Sequence, residues 1–257
     1  MSEVLNKAAT LLNLLKPTDG VSERSATELA KLAKYNTATT HRILQDLEKH
    51  GLVNQNTVTK KFHLGSALIE LGFLARKQFT IQDFAKDAMQ LIAEQTKESV
   101  YLNILLDDGN ALLLDSIDSV HKLRIVEPVG LKLPLHIGGT RRVILAHLDE
   151  VIREKYMEEV QLEKRTAYTL GDKEKLKKEL EKIREQGYAI SFGETTEGTA
   201  GISVPIFGWD GVEASLSIAT PDVRLSKERV PEFASLLKKY SNEISKNLGG
   251  TEVKISN

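Results

Sequence analysis

The chain has 257 residues, of which 41 % are hydrophobic and 28 % charged, and a formal net charge of −1; this is the composition of an ordinary globular protein, long enough for two separate cores. It contains no cysteine, which excludes disulfides, thiol catalysis and thiolate metal sites. Without a signal-peptide pattern or an apolar run of the roughly 18 residues that cross a bilayer, we expect a cytoplasmic protein with no membrane partner.

The charge is distributed unevenly along the chain, although the net charge is close to zero. Residues 1–65 carry nine Lys/Arg against six Asp/Glu, a balance of +3, whereas the remaining 26 and 30 give −4. A basic first quarter favours a polyanionic partner such as nucleic acid, although a bias of this size supports DNA binding only weakly.

The first quarter begins with two predicted helices. Apolar residues recur at helical spacing over residues 4–15, and Pro17 ends that pattern. Ser25 and Glu28 then form an S-x-x-E capping box, in which the two side chains satisfy free N–H groups of the first turn. The second helix is therefore short, over residues 26–33.

A third helix and a hairpin follow at once. Asn36 or Thr37 is the predicted N-cap, and Gly51 stops the helix after His50. Two short helices with a tight connection are typical of a helix-turn-helix. Alternating apolar and polar residues within 51–65 predict a β-hairpin, or wing.

The third helix has two chemically different faces. At 100° per residue, Ile43, Leu44 and Leu47 define the inner face, and Thr40 falls among them. The outer side chains suit a major groove, since arginine pairs with guanine, glutamine pairs with adenine, and alanine contacts the thymine methyl; the helix start suits phosphate oxygens. The predicted DNA-binding residues are Asn36, Thr37, Ala38, Thr39, His41, Arg42, Gln45 and Lys49, with Lys60 and Lys61 of the wing. The alternative is a solvated helix of a three-helix domain.

Residues 66–79 predict a linker helix that is apolar on more than one face. Such a helix needs partners on two sides, so we expect it to contact its own domain and a second copy of the chain. The next helix begins after Thr80, and its predicted buried residues are Phe84, Ala88, Leu91 and Ile92.

From Ser99 the apolar period changes to that of strands. The segments "SVYLNILL" and "NALLLDSI" flank the turn "DDGN", and "KLRIVEPVG" is a further candidate strand. Helices are predicted in "HIGGTRRVILAHL", "DEVIREKYMEEV" and "DKEKLKKELEKIREQG", then the strands "YAISFGE", "GISVPIF" and "EASLSIA", and a last helix over 227–248. This order predicts an α+β fold with an antiparallel sheet. The expected division is a winged helix-turn-helix at 1–65, a linker at 66–79, a second domain at 80–250 and a polar tail at 251–257.

The order of these parts resembles the IclR family of bacterial transcription regulators. The resemblance lies in "LAKLAKYNTATTHRILQDLEKHGLV" with "KKFHLG", and in "VGLKLPLHIGGTRRVILA" with "REQGYAISFGETTEGTAGISVPIF" and "SLSIATP". It covers about Val4 to Leu248. It implies that the second domain is a GAF-like effector domain for a small organic acid, and that the protein acts as a homodimer or a dimer of dimers on a palindromic operator.

Carried over residue by residue, the resemblance gives the candidate effector-binding residues Gly139, Thr140, Ser191, Gly201, Ser217 and Ala219. The residues themselves support the first pair, because "HIGGT" before an apolar helical run places free N–H groups at a helix N-terminus, where a carboxylate is attracted. An ordinary loop and cap is the alternative. Ser191, Gly201 and Ala219 replace more polar or acidic residues common in the family, which predicts an effector bulkier or less polar than a two- or three-carbon acid.

Arg141 and Arg142 stand where the family usually has glycine and lysine. Cations in a first helical turn oppose the helix dipole, so local stability does not explain them. Their side chains diverge by about 100°; we expect one of them, with Arg141 as the candidate, to face an anionic effector and the other to face solvent or a neighbouring subunit. Two solvated arginines are the alternative.

The competing function is a small-molecule-binding or hydrolytic α+β enzyme in which the winged helix is an accessory interaction module. However, the sequence has no G-x-S-x-G, G-x-G-x-x-G or P-loop motif and no H-x-x-x-H spacing. Ser203 and His136 with an acid are the only catalytic grouping to consider, and nothing favours it. We therefore predict a transcriptional regulator, repressor rather than activator, with no catalytic residues, metal or cofactor.

Overall fold

A computed structural model describes residues 3–17, 21–76 and 80–251. The chain divides into two compact units, residues 1–79 and 80–257. The last three residues of the predicted linker helix, and the predicted tail beyond residue 251, lie outside the described residues.

The first unit is a winged helix-turn-helix. It contains α1 (Glu3–Leu14), α2 (Ala26–Ala33), α3 (Thr37–Lys49), β1 (Val53–Gln55), β2 (Phe62–Leu64) and α4 (Ala67–Arg76). The capping box of Ser25 and Glu28 is confirmed, with both reciprocal hydrogen bonds formed. Phe62 exchanges two backbone hydrogen bonds with Arg24, which adds a bridge to the β1–β2 hairpin. The core consists of apolar residues from α1, α2, α3 and the hairpin: Leu11, Leu15, Leu29, Ile43, Leu44, Leu47, Val53 and Phe62.

The second unit contains a six-stranded antiparallel sheet in the order β5-β4-β3-β8-β7-β6. Its strands are β3 (Ser99–Leu105), β4 (Asn110–Ile117), β5 (Lys132–Pro134), β6 (Ala189–Phe192), β7 (Thr199–Gly208) and β8 (Gly211–Pro221). Its helices are α5 (Ile81–Thr96), α6 (Gly139–His147), α7 (Glu150–Glu159), α8 (Lys173–Gln186) and α9 (Arg229–Asn247), and a short 3-10 turn spans Asp222–Arg224. The predicted α+β class with an antiparallel sheet is confirmed.

Two apolar clusters stabilise this unit. One contains the apolar residues of α5 and α9 with alternate residues of β3, β7 and β8. The other contains α6 and α8, with Leu176, Leu180 and Ile183 of the charged helix α8 buried as expected. Alternate strand residues such as Ser203 and Ser217 belong to neither cluster, because they lie on the opposite side of the pleat from Ile202 and Leu216.

Two local predictions were wrong. The segment "KLRIVEPVG" forms no strand among the described residues; the carbonyl of Ile125 instead accepts hydrogen bonds from the side chains of Ser99 and Tyr101, and the strand β5 begins only at Lys132. Leu91 is exposed rather than buried, because the buried side of α5 runs through Ala85, Ala88, Met89, Ile92 and Thr96.

Candidate DNA-binding surface and effector site

Helix α3 is held by its inner face and capped at its start. Thr40, Ile43, Leu44 and Leu47 are buried, as the periodicity predicts. The Asn36 side-chain oxygen accepts a hydrogen bond from the Ala38 amide at 2.8 Å. The outer face is thereby fixed in orientation, which is what a helix needs to read a groove.

The residues predicted to contact DNA lie on the outer face and the wing. All are exposed except Thr39 and Lys61, which are half-buried. Asn36 uses its side-chain oxygen as the cap, and Lys49 pairs with Asp46 at 3.0 Å. Arg42 and Gln45, in contrast, have no hydrogen-bond or ion-pair partner within the part of the chain that the structure describes. These two side chains are therefore the most available for base edges.

The wing is anchored to the loop before α2. Asn56 and Thr59 donate hydrogen bonds to the Glu23 carboxylate at 2.9 and 3.0 Å, and these bonds lower the pKa of Glu23. Lys60, at the exposed turn, adopts a left-handed backbone conformation with φ of 57°. No local sequence pattern indicates the Glu23 anchor, because its partners lie more than 30 residues away along the chain.

His41 also connects α3 to the wing. Its ring lies edge-on to the ring of Phe62, with the centroids 6.4 Å apart. Since Phe62 is a buried core residue, this contact limits the positions that the exposed imidazole can take. His41 is therefore both a surface group and a packing group.

In the second unit, the predicted effector residues of the sheet lie side by side. Ser191 on β6 is the Cα partner of Gly201 on β7, which is the partner of Ala219 on β8. The neighbouring row on the same face contains Ser203 and its direct partner Ser217. Register alone therefore brings four of the predicted residues together.

Helix α6 begins over this face. A Cβ atom added to Gly139 would lie only 3.2 Å from the Ser191 Oγ and from the Ile190 carbonyl carbon, so the helix start and β6 touch. The Ser215 Oγ donates a hydrogen bond to the Thr140 carbonyl at 2.6 Å. The N-cap residue, Gly138, supplies no side-chain cap, which leaves the first turn without a side-chain acceptor for its N–H groups.

Three polar side chains on this face are buried with no partner among the described residues. They are the amide of Asn103 and the hydroxyls of Ser203 and Ser217. Buried polar atoms without partners are costly and rare, so these three side chains are candidates for binding a polar group. Sequence reasoning missed Asn103 as a site residue, and considered Ser203 only as a nucleophile; the period-two alternation of β3 and β7 could have identified both.

The expectation for the two arginines was partly wrong. Neither is solvated: the side chains of Arg141 and Arg142 are both 1 % exposed. Arg142 makes a two-point ion pair with Glu194, at 2.5 and 2.7 Å, whereas Arg141 donates one hydrogen bond to Glu127 at 3.2 Å. Each buried cation is thus neutralised by an acid distant in sequence, which offsets its unfavourable position in a first helical turn.

Two family models match this chain. The model described as "Bacterial transcriptional regulator IclR C-terminal" matches residues 74–246, and the "IclR helix-turn-helix domain" matches residues 4–57. The chain belongs to the IclR family.

Relatives and solved structures agree with this membership. The chain is 32 % identical over 228 residues to the HTH-type transcriptional regulator KdgR of Escherichia coli, covering 88 % of this chain and 86 % of the relative. It is 27 % identical to the transcriptional repressor IclR of the same species, covering 96 % and 90 %. A crystal structure of an IclR transcriptional regulator from a Silicibacter species has the same fold, with a TM-score of 0.87 and 22 % identity over the full length of both chains.

A further IclR homolog, from Microbacterium hydrocarbonoxydans, was crystallised in complex with 4-hydroxybenzoate. It matches with a TM-score of 0.59 and 22 % identity, covering 96 % of this chain and 99 % of that one. This likeness again concerns the fold.

This IclR-family chain is a transcriptional regulator, and its relatives are named as regulators and repressors rather than as enzymes. The structure does not pair Ser203 with His136. The Ser203 hydroxyl has no hydrogen-bond partner among the described residues, and both ring nitrogens of His136 lie 3.2 Å from other oxygens, the Tyr156 hydroxyl and the Glu163 carbonyl. Burial lowers the pKa of His136, so the ring is held neutral. Among the described residues no group of His, Asp and Glu could hold a metal ion, and none of their helices is long and apolar enough to span a membrane.

An open cleft of about 710 Å³ lies elsewhere in the second unit, between the β3–β4 turn and α7. Its lining includes Asp107, Asp108, Tyr156 and Glu159 but none of the residues predicted to bind an effector. The cleft and the α6 site are therefore separate features.

Proposed function

We propose that this IclR-family regulator binds operator DNA through the outer face of α3 and that a small organic acid, bound between α6 and the sheet, changes its operator affinity. In this proposal residues 1–65 bind DNA, residues 66–79 form the dimer contact and residues 80–250 bind the effector. A protein that binds a bacterial chromosome works in the cytoplasm.

The observation that carries the DNA-binding part is the contrast between the faces of α3. The inner face is fully packed, whereas Arg42 and Gln45 are exposed and unengaged among the described residues. Arginine and glutamine on the exposed face of a recognition helix suit guanine and adenine in the major groove, and the polar and basic residues around them suit the phosphates on either side: Asn36, Thr37, Thr39, Lys49, Lys60 and Lys61.

A salt titration tests this part. Because binding displaces cations from the phosphates, the logarithm of the association constant for duplex DNA should fall linearly with the logarithm of salt concentration. Lys60→Ala should make that slope shallower by about one unit, the contribution of one phosphate contact. Lys34→Ala, which replaces an exposed lysine outside the proposed contact set, should leave the slope unchanged. Affinity independent of salt would contradict the proposal.

The dimer is proposed from the exposed apolar residues of α4. Ile69, Leu71 and Leu74 are 76 %, 56 % and 50 % exposed within one chain. One recognition helix reads only a few base pairs, so two copies on a palindromic site would supply the missing specificity. Ile69→Asp should lower the oligomer mass in sedimentation, whereas Glu70→Ala, a change at the neighbouring exposed position, should not. An unchanged mass for Ile69→Asp would contradict this contact.

The effector part is supported by the unpaired polar atoms under α6 and by partial access, since Thr140, Ser191 and Ala219 are half-buried. The Microbacterium homolog binds a carboxylic acid in its crystal, which is the chemistry proposed for Gly139, Thr140, Arg141, Ser191, Gly201, Ser217 and Ala219. A ligand changes operator affinity only if it binds two arrangements of the dimer unequally. We favour repression, the role that names the E. coli relative IclR.

Operator binding measured with and without 4-hydroxybenzoate and pyruvate tests the effector part. A response that is lost in Ser217→Val supports the site, because that variant removes a hydroxyl from the proposed lining. A response that Ser217→Val retains in full would place the effector elsewhere.

A further inference from the structure

Arg141 is a buried cation that is only partly paired. Its side chain is 1 % exposed, and its Nε is buried with no hydrogen-bond partner within the described ranges. Its bond to Glu127 involves one nitrogen and one oxygen, 3.2 Å apart. Burial lowers the pKa of Arg141, and the Glu127 carboxylate opposes that change. A guanidinium has five donors in a planar fork that matches two carboxylate oxygens, so this one has unused binding capacity.

The neighbouring Arg142 also has a buried Nε without a partner among the described residues, but its two terminal nitrogens are more fully paired than those of Arg141. It bonds both oxygens of Glu194 and also donates to the Ile190 carbonyl at 3.3 Å. Thr169 in turn donates to the Glu194 carbonyl at 2.7 Å. This pair is built into the fold, and it leaves Arg141 as the cation at the start of α6 that can accept another anion.

Glu127 can leave Arg141 without its backbone moving. The main chain beside it is held by Tyr101, whose hydroxyl accepts a hydrogen bond from the Glu127 amide at 3.1 Å and donates to the Ile125 carbonyl at 2.9 Å. The Glu127 side chain itself is 17 % exposed. Rotation about its side-chain bonds therefore suffices to move the carboxylate from Arg141 toward solvent.

The polar face continues directly from this pair. Tyr101 is the Cα partner of Ser217, and Ser217 is the partner of Ser203. The hydroxyls of both serines and the amide of Asn103 are buried without partners among the described residues. A molecule bound at Arg141 would thus extend over groups that need hydroxyl or carbonyl oxygens as partners.

We propose that Arg141 recognises the carboxylate of the effector, a hydroxylated or oxo carboxylic acid, and that Glu127 is an internal carboxylate that occupies Arg141 until the effector displaces it. This inference rests on the proposed effector site and adds a competitor within the chain. Such competition raises the apparent Kd to the intrinsic value divided by the fraction of time that Arg141 is free, so the regulator would respond at higher effector concentrations than an unoccupied Arg141 would require.

Chemical rescue tests the inference without knowledge of the effector. In the full-length Glu127→Ala variant, sodium acetate should raise the melting temperature progressively with concentration, as expected for a ligand that binds only the folded chain. Sodium chloride at equal ionic strength and uncharged acetamide should not reproduce that rise. The wild type should gain less, because Glu127 competes, and Asp118→Asn, a change at an exposed acid of the same loop, should behave as the wild type does.

The double variant Glu127→Ala/Arg141→Gln should lose the gain specific to acetate. A gain that persists in the double variant would overturn the role of Arg141 while leaving an effector site in place. A larger gain with sodium phosphate than with acetate would overturn the carboxylate class, and equal effects of acetate and chloride in Glu127→Ala would overturn the inference as a whole. If Glu127→Ala does not fold, Glu127→Gln keeps the side-chain volume and is judged by the same outcomes. The salt titration on DNA judges the proposed function separately.

Discussion

Replacing Arg142 with methionine removes one partner of the buried pair and leaves the Glu194 carboxylate without its cation. The pair has two short bonds, and its side chains are 1 % and 9 % exposed, so solvent cannot replace the missing charge. Breaking a buried ion pair on one side costs about 3 to 5 kcal/mol. For a unit of this size that loss lowers the melting temperature by roughly 6 to 20 °C.

Calorimetric melting of the full chain measures the effect, with two further variants for comparison. Arg142→Met/Glu194→Met removes both charges, and its cost should be well below the sum of the two single changes, because no unpaired charge remains. Asp118→Asn breaks the exposed pair with Arg124 and should cost no more than about 1 kcal/mol. A melting temperature of Arg142→Met equal to that of Asp118→Asn would contradict this prediction. So would a loss of stability in the double variant equal to the sum of the losses in the two single variants.

Three further predictions concern local structure. Ser25→Ala removes the cap of α2 and should cost about 1 kcal/mol in urea unfolding, and no measurable loss would contradict the capping role. Gly72→Ala, with open space around its added Cβ, should raise the free energy of unfolding by up to about 1 kcal/mol through helix propensity. Gly139→Ala should show no such increase, because its Cβ would lie 3.2 Å from the β6 backbone. Equal effects of the two variants would contradict the close approach of α6 to β6. Burial lowers the pKa of His136 and His147 in the folded chain, so the unfolded chain takes up protons first and stability should decline as pH falls below about 6.5. Melting temperatures at about pH 7.5 and 5.5 measure the decline, which should be shallower in His147→Gln than in the wild type. An equally steep decline in His147→Gln would show that His147 does not contribute to the pH dependence of stability.

Local pattern predicts the helix-turn-helix well. The Ser25 capping box and the buried face of α3 depend on residues at most seven positions apart, and such contacts can be identified from spacing. Most strands of the second unit can be predicted from local pattern for the same reason. The prediction of a strand in "KLRIVEPVG" was wrong because side chains of β3, rather than a neighbouring strand, donate hydrogen bonds to the Ile125 carbonyl. No local sequence pattern indicates these hydrogen bonds.

The effector site could be predicted only in part. The resemblance to the family located the row of Ser191, Gly201 and Ala219, which the register places side by side. The partners of Arg141 and Arg142 lie 14 and 52 residues away in sequence, so spacing could not reveal that both cations are buried and paired. Polar residues on the α6 side of the sheet became informative only when their unpaired atoms were known.

Selection of bound sequences from random duplex DNA, compared between the wild type and Arg42→Ala, measures whether α3 reads bases. The wild type should select a two-fold symmetric site, and Arg42→Ala should lose preference at one base pair of each half-site, with a cost of about 1 to 3 kcal/mol on the preferred sequence. An Arg42→Ala variant that selects the same sequence as the wild type, or that loses affinity equally on preferred and random DNA, would contradict base reading by α3.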